Sequence, residues 1–163
     1  MEPAADWSNF LMAAAAAVGA LVGLVFVALS INLARIIQLP GVSGRAAETI
    51  FILAGALVET LVALVPGQTA PRLGATLLPV AVAAWGIPVG LQLQALRRRH
   101  FYRPSFALMR VAFHQAATLP AILAGLSFCG LLAGGMYWLA AGVVLSLVFA
   151  LVNAWILLVE IIR

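Results

Sequence analysis

Five long apolar runs, at about residues 7–37, 47–65, 73–96, 106–132 and 136–161, alternate with four short breaks rich in proline, glycine and arginine. A helix crossing a hydrocarbon core of ~30 Å needs roughly 20 apolar residues, and the runs have that length. From Trp7 to Ile31 the first run has ~25 residues, or ~37 Å of helix at 1.5 Å per residue, enough for a tilted span. Asn32, Arg35 and Gln38 then carry it into the headgroups, and Pro40 and Gly41 stop it. Ser43 is the expected cap of the second helix, without the acidic or amide partner that completes a capping box. Pro66 and Gly67 end that helix, Pro79 and Pro88 predict bends in the third, and Gly134 with Gly135 predicts a hairpin before Tyr137 and Trp138 at an interface. The acidic start, Met1 to Asp6, lacks the basic region of a cleaved signal, so the first run is expected to be kept.

Composition turns this pattern into a class. Apolar residues make up 65% and charged residues 9% of the 163, against roughly half and a quarter in soluble domains. The expected fold is an all-α integral membrane protein, a bundle of five transmembrane helices in one domain. The breaks are too short to hold a further domain, and no internal repeat marks paired transporter halves.

Charge orients the bundle. There are nine arginines and no lysine. Arg35, Arg45, Arg97, Arg98, Arg99, Arg103, Arg110 and Arg163 belong to one set of helix ends, and Arg72 alone to the other. The positive-inside bias then predicts the N-terminus outside and the C-terminus inside, in a bacterial cytoplasmic (inner) membrane. Arg97, Arg98, Arg99 and Arg103, with His100 among them, form the expected basic anchor to inner-leaflet headgroups. A net charge of +4 confined to helix ends fits a lipid surface and excludes nucleic acid as a partner.

Candidate chemistry lies where ionisable groups fall inside the runs, since each costs at least ~2.5–3.5 kcal/mol to insert. Glu48 and Glu59 are eleven residues apart, close to three helical turns, and share a face with Ile52 and Gly55. In the fourth run Arg110, His114 and Thr118 recur at four-residue spacing, with Gln115 beside His114. Measured from the inner interface, His114 is expected ~12 Å deep and Glu59 ~18 Å deep, so a contact from Glu59 to His114 or Gln115 is predicted. Arg110 and Glu160 are expected to pair or reach to the headgroups near the inner ends, and Gln92, Gln94 and Asn153 to make interhelical hydrogen bonds. In the first helix, Gly19 and Gly23 form a small-residue pair that suits close packing, within the monomer or between copies. Cys129, the lone cysteine, has no disulfide partner and is expected to be a small core residue.

The inventory argues against catalysis. Two histidines, no metal-ligand cluster and no glycine-flanked serine leave no enzyme motif, no cofactor and no metal to expect. The stretch from Gly19 to Gln68, with ALSINL at Ala28–Leu33, LPG at Leu39–Gly41 followed by Arg45 and Glu48, and PGQ at Pro66–Gln68, resembles a loose group of small bacterial multi-pass membrane proteins. Some members of that group carry the label of modulator of a membrane-bound protease, and the resemblance implies no functional residue. The expected function is a small homo-oligomeric membrane protein that conducts ions or protons, with Glu59, Glu48, His114, Gln115 and Thr118 along or gating the path and monovalent cations or protons as its cargo. The alternative is a non-conducting adaptor or regulator of a larger membrane complex such as a protease, with other membrane proteins as partners.

Overall fold

The computed structural model describes residues 5–39, 41–97 and 104–162, without the side chains of 5, 95–97, 104–107, 158 and 160–162. A 3-10 turn at Ala5–Trp7 leads into α1 (Ser8–Ile31), followed by α2 (Leu33–Ile36), α3 (Val42–Leu64), α4 (Ala70–Arg97), α5 (Pro104–Phe128) and α6 (Met136–Ile162), with no strand among the described residues. Within five of them, α1 and α3 to α6, lie segments long and apolar enough to cross a membrane. Leu24, Ile31 and Trp155 are 69%, 78% and 68% exposed on the surface of the chain, which in water would be costly and in lipid is the expected solvated face.

Successive long helices run antiparallel. Helices α3, α4, α5 and α6 pack in order, with α6 returning to α3 to close a four-membered ring, while α1 lies outside the ring against α3. This is the up-and-down arrangement that short connections favour. Arg35 on α2, Arg45 on α3, Arg97 closing α4 and Arg110 on α5 therefore gather at one end, and Arg72 near the start of α4 lies at the other. The main apolar core includes Leu11, Leu53, Ala56, Leu73, Leu77, Leu139 and Val143 and extends to Val25 on α1, and a smaller cluster of Ile36, Val42, Ala46 and Leu157 lies at the arginine-bearing end.

Three of the departures from the expected helix boundaries have a local reason. Gly41 adopts φ 82°, a left-handed turn that glycine enters without steric cost. The chain reverses there at once, so α3 starts at Val42 rather than near residue 47, and Ser43 is inside the helix with no side-chain cap at its start. After α1, the Asn32 side chain donates to the Ala28 carbonyl at 2.8 Å, and Ser30 Oγ to Phe26 at 2.8 Å. Such side-chain bonds compete with the helical ladder, and the backbone leaves helical geometry at Asn32 before α2 resumes. At the end of α5, Leu131 N–H returns to the Leu126 carbonyl at 3.1 Å around Gly130, whose φ is 83°, a left-handed stop. Helix α5 thus ends at Phe128, and Cys129, just past it, is exposed instead of belonging to the core.

Candidate functional site

Earlier starts for α3 and α5 set depths along the helices. Glu48 is six residues after Val42 and Arg110 six after Pro104, while Gln92 is five before Arg97. At 1.5 Å per residue all three lie ~8–9 Å in from the arginine-bearing end. They meet there. Arg110 Nε donates to Glu48 Oε2 at 2.6 Å, a second guanidinium nitrogen bridges to the same oxygen, and the Gln92 amide donates to Glu48 Oε1. Glu48 is fully buried, with Gln92 6% and the Arg110 side chain 12% exposed. A carboxylate with both oxygens occupied by a guanidinium and an amide is the arrangement in which a buried ion survives desolvation.

The network extends to the remaining helix of the ring. Asn153 on α6 donates to Thr49 Oγ1 at 3.0 Å, and Thr49 donates to the Arg45 carbonyl at 3.0 Å. Arg45 is itself buried. Ser146 on α6 donates to the Ala117 carbonyl of α5 at 3.2 Å. Every helix of the ring therefore contributes a polar group to the interior.

One turn deeper than Arg110 on α5, His114 is fully buried. Its Nε2 lies 3.3 Å from the Trp85 carbonyl of α4. A carbonyl can only accept, so Nε2 carries the proton and Nδ1 is the bare acceptor. Nδ1 has no hydrogen-bond partner. Three residues beyond Trp85, Pro88 withholds the N–H that the Ala84 carbonyl would receive, and a proline turn is where neighbouring helices take up freed backbone groups. Trp85 also donates its indole N–H to Gln115 Oε1 at 2.7 Å, fixing α4 to α5 beside the histidine. Thr118, the next polar residue of the stripe, is buried and donates to the His114 carbonyl of its own helix at 2.9 Å.

The expected Glu59 contact does not form. His114 and Gln115 both engage Trp85, and the carboxylate that meets the α5 stripe is Glu48. The physical reason is depth. With α3 starting at Val42, Glu59 is ~26 Å from the arginine-bearing end, whereas His114 is ~15 Å from it. Glu59 is 5% exposed and has no hydrogen bond or ion pair among the described residues. Gly55, one turn before it, lies at a close approach of α3 and α4: a Cβ there would approach the Ala84 Cβ to 2.5 Å.

Other expected positions sort as follows. Gly19 faces Leu57 of α3, where a Cβ would lie 4.0 Å away, while Gly23 opens to the surface; the pair is divided between an internal contact and an exposed face. Arg97 closes α4, and Arg98, Arg99 and Arg103, with His100, lie outside the described residues, as does the Glu160 side chain. Gln94 is exposed and outside the network. Trp85, Thr49 and Arg45 join the site without a sequence signal that assigns them to it. Trp85 and Thr49 carry no charge or titratable group to flag them, and Arg45 reads as a helix-end anchor. Among the described residues no group of three metal-ligating side chains occurs. No protein-family model, no curated protein and no solved structure matches this chain.

Proposed function

We propose that this protein conducts protons across a bacterial cytoplasmic membrane, through the interior of each protomer. The observation that supports this reading is a ladder of protonatable side chains, all buried within one chain, at graded depth: Glu48 at ~9 Å, His114 at ~15 Å and Glu59 at ~26 Å from the arginine-bearing end. Thr118, at ~21 Å, offers a hydroxyl between the last two. Steps of this size are bridged by water or by side-chain rotation, and intramembrane Glu and His chains are the groups from which proton relays are made. Positive-inside sorting puts the arginine-bearing end in the cytoplasm and the N-terminus outside. Copies assemble as a homo-oligomer through their apolar faces, and the path does not run along the axis between them.

The test is proton flux into liposomes holding the purified protein. Parent protein carries a flux that Glu59→Gln and His114→Gln each reduce to the level of empty liposomes. Equal flux in parent and both variants removes this reading. A parent that carries no flux leaves the second reading, a non-conducting adaptor or regulator of a larger membrane complex such as a protease, which the burial of both carboxylates inside a single protomer also favours. In that case the interior network serves to hold one rigid shape for a partner.

A further inference from the structure

Glu48 has one carboxylate and two cationic claimants. Arg110 holds it now, and His114 stands one turn along the same helix, ~6 Å further in, with a bare Nδ1 and no donor to satisfy it. The groups facing this place from each helix can be named. From α3 come Glu48 and, a turn nearer the end, Arg45. From α4 come Gln92 and the Trp85 carbonyl, neither of them charged, and α6 brings Asn153 and Ser146, likewise uncharged. On α5 itself there is Arg110. Glu48 and Arg110 are the charged groups that act on His114 electrostatically among the described residues.

A proton arriving at Nδ1 would create a second cation in this enclosed space. Its new N–H has no acceptor where it stands, because Trp85 is already engaged by Nε2. The carboxylate that acts on the ring is Glu48, ~6 Å nearer the arginine-bearing end. We propose that His114 and Arg110 compete for the Glu48 carboxylate, so that binding of one proton at Nδ1 releases the Arg110 guanidinium toward the arginine-bearing end. The proton comes from water, no covalent bond changes, and the interior keeps its net charge when the guanidinium leaves as the imidazolium forms. Arg110 is placed for this: it is 12% exposed, whereas Glu48 and His114 are fully buried, and its long side chain can reach out along the helix while its backbone stays. The exchange rests on the proton-conducting reading above and makes Arg110 the gate at that end of the path.

The chain has two histidines, so His100→Asn leaves His114 as a single reporter for ring-nitrogen NMR of histidine-labelled protein in bilayers. At neutral pH the ring is expected as the Nε2-protonated tautomer, turning into imidazolium on acidification. Arg110→Gln leaves Glu48 to His114 alone, and the charged ring then forms with less acid than in the parent. Glu48→Gln paired with Arg110→Gln, which removes both charges while keeping the side-chain shapes, loses the charging over the same range. Trp85 emission, read with Trp7, Trp138 and Trp155 replaced by Phe, follows the parent transition and loses it in His114→Gln. Identical titration of His114 in the parent and both network variants overturns the exchange, as does a Trp85 transition that survives His114→Gln. Flux without this titration pattern sinks the exchange alone; the pattern without flux sinks conduction and leaves the exchange in place.

Discussion

The two carboxylates of α3 occupy mirrored positions, Glu48 six residues from one end of the helix and Glu59 five from the other, and the bundle treats them in opposite ways. Around Glu48 the interior is polar: Gln92 and Arg110 occupy its oxygens, and Thr49 with Asn153 continues the network to α6. At the other end, the core is made of Leu53, Ala56, Leu73, Leu77, Leu139 and Val143, and Glu59 has no polar partner among the described residues. Same helix, same face and same residue type thus lead to different states. What decides between them is whether neighbouring helices bring donors to the matching depth, because in a dry interior an ion is held by its partners and not by its position.

Three substitutions put that contrast under strain, from the largest effect to the smallest. Glu48→Ala strips Arg110 and Gln92 of their acceptor within the bundle, and breaking a buried pair by removing one partner costs about 3–5 kcal/mol. Unfolding of the purified protein in detergent micelles, followed by helical circular dichroism against denaturant, should register it. A loss below about 1 kcal/mol, the range of an exposed pair, would mean that the network is solvated and the contrast illusory. Glu59→Leu goes the other way: it removes a carboxyl group that has no polar partner among the described residues, and stability rises by about 1–3 kcal/mol in the same assay. An unchanged or lower stability would show that Glu59 finds a partner and that the two ends are alike. Asn153→Ala tests the outer edge of the polar half, where a single interhelical hydrogen bond to Thr49 is lost. About 0.6 kcal/mol is expected, and a loss well above about 2 would mean that α6 is a principal support of the Glu48 site and not its margin.

Much of the fold is legible in the residues alone. Five spans follow from run length and from an apolar content that water could not tolerate, and turns fall at Pro66–Gly67 and Gly134–Gly135, where Gly67, Gly134 and Gly135 take positive φ. Glu48 and Glu59 are both buried, and His114 lies on the stripe beside Arg110. The pairing between those stripes is not legible. Gly44 reads as a breaker, which places the expected start of the second helix near residue 47, yet a single glycine inside a helix costs only about 1 kcal/mol. The left-handed turn at Gly41 sets the start instead. Trp85 carries no signal because its contribution to His114 is a backbone carbonyl, which no side-chain pattern reports. Cys129 reads as a core residue because the turn at Gly130 is invisible to hydropathy.

By itself the sequence determined that this chain is a set of helices in lipid, since that follows from how many consecutive residues are apolar, a property that survives an error of several residues at either end. Which ionisable groups meet was decided by the tertiary structure alone. A five-residue error in where α3 begins displaces every group on it by ~7.5 Å, and an ion pair forms only within about 4 Å. Glu48 joins Arg110, and Glu59 is left without a partner among the described residues, because packing and turn geometry set the helices in register to within that smaller distance.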